Sequence, residues 1–131
     1  MKSKKRIKYT GEDKRIKKFY DSKKGLKTFS FDEFKNWFIK QEDKCLYCNL
    51  TSQETLILFN KYPLSTRNGR RGRRLELDRI NPHLSYGHSL ENLALACYWC
   101  NNAKTNYFSF EDFKQIGEII GKVHQQRLML L

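Results

Sequence analysis

Residues 75–104 read LELDRINPHLSYGHSLENLALACYWCNNAK. Leu75 and Leu77 alternate with Glu76 and Asp78, the period of a half-buried strand whose regular alternation ends at Asp78. Asn81-Pro82 and Tyr86-Gly87 then break the chain into a polar loop. Leu93, Ala94, Leu95 and Ala96 form a returning strand, and Tyr98 to Asn106 suits a helix. The order strand, loop, strand, helix predicts an α+β fold with a small ββ hairpin backed by a helix, flanked by further helices.

The end of this stretch carries Cys97 and Cys100, and a second pair, Cys45 and Cys48, lies upstream in Cys-Leu-Tyr-Cys. Two thiolates three residues apart can both reach one tetrahedral ion when the chain turns between them. Two such pairs predict one structural zinc held by Cys45, Cys48, Cys97 and Cys100. Four thiolates leave no open position for water or substrate, so this ion is a staple and not a catalyst. A redox pair and buried free thiols are the competing readings of the same spacing.

Outward from the centre, the charge pattern dominates. The chain has 131 residues, 26 Lys and Arg against 14 Asp and Glu, and a formal net charge of +12. One domain is expected at this length, and a polyanion is the expected partner. DNA is the first candidate and RNA the second. No apolar leader or spanning segment is visible, which points to a cytoplasmic protein and against a membrane. The oligomeric state is not readable.

Residues 1–27 are read as a basic arm and short helix, with Ile16, Phe19 and Tyr20 at helical spacing. Ser30 and Glu33 form a capping box ahead of a stripe of Phe31, Phe34, Trp37 and Phe38. Thr55 to Phe59 can be a strand or a helical turn. Between Lys61 and Arg74, Arg67, Arg70, Arg71, Arg73 and Arg74 are interrupted by glycines, as suits a segment that follows a phosphate backbone. A last helix over 109–128 starts at Ser109 and is expected to turn Phe110, Phe113, Ile116, Ile120 and Val123 inward, with His124 at the surface or boundary. The apolar tail to Leu131 suits its own domain or a partner.

Taken together, Asp78 at a strand end, a loop, Asn92-Leu93, and Cys97-Tyr98-Trp99-Cys100-Asn101-Asn102-Ala103-Lys104 resemble the HNH endonuclease family, with its ββα-metal fold and four-cysteine zinc knuckles, in an Asp-Arg-Ile variant. The resemblance covers residues 45–104. It implies a nuclease-like unit over 28–131, with its core at 45–106, and metal-dependent hydrolysis of DNA phosphodiester bonds. Asp78 would be the first ligand of a catalytic magnesium or manganese ion, and Asn101 stands where many members place the last histidine of the motif, so its amide oxygen would be the second. Asn92 matches the residue that ties the loop to the strand. Lys104 is a candidate phosphate contact, with a surface charge as the alternative. Glu76 shares the strand face of Asp78 and is a candidate partner for Arg79.

The departure is Arg79. The family usually has a histidine here that activates water, and a guanidinium cannot take a proton at physiological pH. Arg79 can instead clamp the scissile phosphate. Gly87-His88 sits in the register where relatives of this variant carry Gly-Tyr, so His88 is the first candidate base, followed by His83 and Tyr86. A catalytically inactive zinc-containing nucleic-acid-binding module of the same fold is the alternative. A zinc-knuckle RNA-binding or ribosome-associated protein is a third reading, which explains the charge but not the Asp78 and Asn101 pair.

Overall fold

The computed structural model describes residues 11–62 and 71–131. Helix α1 spans Gly11–Ser22 and leads through a 3-10 turn, Lys24–Thr28, to α2 at Phe31–Ile39. Helix α3 follows at Ser52–Lys61. Strands β1, Glu76–Arg79, and β2, Leu93–Ala96, form an antiparallel pair, and α4, Tyr98–Lys104, and α5, Phe110–Met129, complete the chain. The ββα order expected from residues 75–104 is therefore present, with Asp78 opposite Ala94 and Glu76 opposite Ala96. Among the described residues no helix is long and apolar enough to cross a membrane.

The helix starts follow from local chemistry. Ser30 accepts from the Glu33 amide while the Glu33 carboxylate accepts from the Ser30 amide, satisfying two of the donors a helix start leaves unpaired. Thr51 and Glu54 repeat this box at the head of α3, so the segment around Thr55 to Phe59 is helical. Thr51-Ser52-Gln53-Glu54 is the signal that decides between strand and helix there, and it lies just outside the apolar run. Helix α1 forms where Ile16, Phe19 and Tyr20 stand at helical spacing, and Ile16 and Tyr20 are buried with Leu26, Phe34 and Phe38 in the core that also holds the cysteines.

Helix α5 sits rotated from the expected register. Phe113 is buried as expected and Phe110, Ile116 and Ile120 are partly so, but Val123 is 45% exposed. The buried positions beyond Phe113 are Gly117, Gly121 and His124. A Cβ on Gly117 would stand 2.6 Å from the Tyr47 carbonyl oxygen, and one on Gly121 would stand 2.7 Å from that of Cys48. The helix thus lays its glycine stripe on the backbone of the first Cys-x-x-Cys turn, and this close approach sets which face turns inward. His124 follows it into the interior, its ring 4.8 Å from that of Trp99. Among the described residues neither of its ring nitrogens has a hydrogen-bond partner. Burial pushes its pKa down first, helped by Arg127, which keeps the imidazole neutral. The tail does not cover its own domain, since Met129 and Leu130 are 84% and 81% exposed.

Gly117→Ala should therefore destabilise the protein by roughly 1–3 kcal/mol through overpacking, although alanine is the better helix former. Urea denaturation followed by circular dichroism checks this, and an unchanged or raised midpoint would contradict the close packing.

Candidate active site and metal centre

The two Cys-x-x-Cys turns meet. The ligand atoms of Cys45, Cys48, Cys97 and Cys100 lie within 4.8 Å of one another, and all four residues are buried. For a tetrahedral ion with sulfur ligands at about 2.3 Å, edges near 3.8 Å follow, and Cys48 Sγ is 3.6 Å from Cys97 Sγ. The donor set therefore fits a metal ion in an arrangement like a zinc site. Four thiols this close cannot all ionise without a cation. Hydrogen bonds from Cys100, Cys48 and Cys97 pull the Cys45 proton affinity far down, while those that Cys97 and Cys100 make with Cys45 and Cys48 hold their own protons on. A dication removes that conflict.

Each turn is built by the backbone around it. The Cys45 amide donates to the Leu50 carbonyl at 2.8 Å, the Asn49 amide to that of Cys45 at 3.0 Å, and Asn49 takes a left-handed conformation at φ 64°. The Leu46 amide donates to the Leu95 carbonyl at 2.9 Å, which fixes the first turn against β2. Cys97 caps α4, its sulfur accepting from the Cys100 amide.

Asp78 stands at the end of β1, 8% exposed. Its Oδ2 accepts from the Tyr47 hydroxyl at 2.6 Å and lies 3.6 Å from the Lys104 ammonium. Burial pushes the Asp78 carboxyl above its usual pKa, opposed by Tyr47, Lys104 and the Arg79 amide. Tyr47 is in turn held far above the ordinary phenol range, by burial first and then by the Asp78 charge, so it remains a donor. Lys104 is fully buried and its ammonium also donates to the Arg79 carbonyl at 2.8 Å. This corrects its assignment to nucleic-acid binding: a side chain with no exposed surface cannot reach a phosphate. Its work is to neutralise Asp78 and to fix the end of β1 on α4.

Glu76 takes a different partner from the one expected. Arg71 donates to both of its oxygens, Nε to Oε2 at 2.9 Å and the terminal nitrogen to Oε1 at 2.6 Å, while the Asn101 amide donates to Oε1 at 2.9 Å. Asn101 thereby joins Glu76 on the strand face that Asp78 shares by register. Arg79 instead lays its guanidinium 4.8 Å from the centre of the Tyr86 ring and donates to the Leu84 carbonyl. Tyr86 is half-buried, and its pKa is raised by burial first, with Asp78 and Glu76 adding to the rise and Arg79 opposing it. Its other cation is Lys23, 5.2 Å from the ring centre.

Asn92 ties the start of the loop to the start of β2. Its Oδ1 accepts from the Asn81 amide at 2.9 Å, its Nδ2 donates to the Asn81 carbonyl at 3.2 Å, and its own carbonyl accepts from Ile80. His83 and His88 are both exposed on this loop. His83 faces a recess shared with Tyr107 and the start of α5. His88 follows Gly87, whose carbonyl accepts from the Thr28 hydroxyl at 3.0 Å.

Beside the strand face lies a cavity of about 450 Å³, lined by Lys23, Arg71, Arg74, Glu76, Tyr86 and Asn101 among others. It gathers two of the predicted arginines, while Arg73 turns toward the Phe59 ring at 4.7 Å. Arg67 and Arg70 lie outside the described residues, as do residues 1–10. Sequence reasoning assigned no role to Tyr47 or Lys23 here. Their separation from Asp78 along the chain hides them, and only a tyrosine between two metal-binding cysteines hints at the first.

Among solved structures, the chain is similar to the rare-cutting HNH restriction endonuclease PacI, with 26% identity, 91% of this chain and 87% of that chain covered, and a TM-score of 0.67. No protein-family model matches the chain, and no curated protein matches it.

Replacing Lys104 by methionine should cost about 3–5 kcal/mol, because the Asp78 charge would be left buried without its partner. Chemical denaturation measures this, and a loss below about 1 kcal/mol would show that the ammonium is dispensable.

Proposed function

On the premise of an HNH endonuclease fold, we propose that the protein is a metal-dependent endonuclease that hydrolyses phosphodiester bonds in DNA. A fold alone does not carry an activity. The observation that carries this one is the strand face of Asp78 and Glu76 joined to Asn101 beside a cation-lined cavity.

Asp78 and Asn101 are the residues to hold the catalytic ion, magnesium or manganese, since a carboxylate and an amide oxygen suit a hard cation. When bound, such an ion polarises the scissile phosphate and stabilises the departing 3′ oxygen. Around it the chain's own residues position the substrate. Lys23, Arg71 and Arg74 supply positive charge to the backbone of a nucleic acid entering the cavity, and the +12 net charge draws it in. Arg79, which stacks on Tyr86, would donate to a non-bridging phosphate oxygen. Asn92 holds the β1–β2 loop that carries Tyr86 and His88.

The base is assigned to His88. Burial keeps the Tyr86 phenol protonated, and His83 faces the recess at the start of α5. His88 is exposed on the same loop as Tyr86 and carries an imidazole, which suits proton transfer near neutral pH. The four-cysteine site is assigned to zinc, whose preference for a tetrahedral sulfur shell matches the donor set.

A second reading, a nucleic-acid-binding module without catalysis, is favoured by two features. Arg71 already neutralises Glu76 with two hydrogen bonds, and Arg79 stands where the family keeps a base.

Supercoiled plasmid separates the two. The wild type should nick it only with magnesium or manganese present, and Asp78→Ala should lower the rate at least about 100-fold. Binding without metal-dependent cleavage would support the second reading. His88→Ala should slow cleavage by about 100-fold or more, and a smaller effect than its counterparts at His83 or Tyr86 would move the base. Independently, elemental analysis should find one zinc per chain. Freely titratable thiols in the folded protein would exclude it.

A further inference from the structure

Tyr47 belongs to two sites at once. It lies between Cys45 and Cys48 in the first metal-binding turn, and its hydroxyl donates to Asp78 Oδ2 at 2.6 Å. The turn itself is fixed on three sides. Leu46 bonds β2, Gly117 of α5 abuts the Tyr47 backbone, and the Tyr47 ring meets those of Phe113 and Phe110 at 5.1 and 6.0 Å. A tyrosine so fixed cannot follow the carboxylate; the carboxylate must follow it.

The consequence falls on Asp78. Oδ2 is thus engaged by the Tyr47 hydroxyl and, at 3.6 Å, faces the Lys104 ammonium. A carboxylate free to rotate would present either oxygen, or both, to an ion. Here one is fixed before any ion arrives.

We propose that Tyr47 is a positioning residue through which the four-cysteine site sets the affinity of the Asp78 site for a divalent ion, with Asp78 presented as a ligand through a single oxygen. The proposal rests on the nuclease reading only for Asp78 being an ion ligand. The signal travels by geometry: thiolate coordination fixes the turn, the turn fixes the phenol, and the phenol fixes the carboxylate. Hydrogen-bonding partners behind a metal ligand commonly account for 10–100-fold in affinity, because they hold the ligand in its binding orientation.

The test is manganese binding to the full, zinc-loaded chain without nucleic acid, followed by electron paramagnetic resonance or calorimetry. Tyr47→Phe should keep one zinc per chain and bind manganese about tenfold or more weakly. In plasmid nicking, the rate lost at low manganese should return as manganese is raised. Phe34→Leu, in the buried cluster where its ring meets those of Tyr20, Trp37 and Phe38, is the control for packing alone, and it should lower the denaturation midpoint while leaving manganese affinity unchanged. Equal manganese affinity in the wild type and Tyr47→Phe, with zinc retained in both, overturns the proposal. So does a wild type that binds no manganese beyond its zinc. A measurement on the wild type alone guards against a variant that fails to fold: the Tyr47 hydroxyl proton, shielded and hydrogen-bonded, should give a slowly exchanging low-field resonance that shifts on magnesium addition. A resonance indifferent to magnesium also overturns the proposal. Cleavage failing while manganese binding responds to Tyr47 would remove the nuclease reading and leave this link standing.

Discussion

Four thiols drawn to one point are the constraint on which the rest of the structure depends. Cys45 and Cys48 come from a turn between α2 and α3, Cys97 and Cys100 from the junction of β2 and α4, and their sulfurs lie within 4.8 Å of one another. Without a cation the cluster is electrostatically frustrated; with one it ties the two halves of the described chain together. A two-stranded sheet of four-residue strands has little stability of its own. Here it is held because β2 runs into one Cys-x-x-Cys turn at its end and accepts a backbone hydrogen bond from the other turn at Leu95.

Around that point the packing is aromatic and tight. The glycine stripe of α5 lets a helix of 20 residues lie directly on the backbone of the first turn, and Phe113 fills the space beside Tyr47. The buried charges are concentrated on the opposite side of Tyr47. Asp78 and Lys104 neutralise each other in the interior, and Tyr47 and the Arg79 carbonyl complete their hydrogen bonding. Such a pair is weak as a source of stability but strong as a source of geometry, since each partner is costly to leave alone. The exposed counterpart is Glu76 with Arg71 and Asn101, at the wall of the cavity. A buried inner pair and a more exposed outer one thus share a single strand face.

The parts legible in the sequence were those governed by neighbours along the chain. The capping box at Ser30 and the stripe of Phe34 and Phe38 are local physics, and both formed as expected. So did the β1 and β2 pairing and the Asn92 bridge across the loop. Where a reading went astray, a distant contact had intervened. Val123 faces outward and His124 inward because Gly117 and Gly121 rest on Tyr47 and Cys48, a contact that helical periodicity cannot register. Lys104 is buried because Asp78 and the Arg79 carbonyl meet it across α4 and β1. Glu76 found Arg71 in place of Arg79 because Arg79 turned onto the Tyr86 ring.

By itself, then, the sequence determined the α+β class, the order of strand, loop, strand and helix, and the two cysteine pairs that meet at one point. Spacing and periodicity encode all of these, because the residues involved are close in the chain or chemically rare. Only the tertiary structure decided which groups surround Asp78. A carboxylate's partners depend on which elements pack against its strand, and Tyr47 and Lys104 approach from 31 and 26 positions away. No local pattern records that meeting.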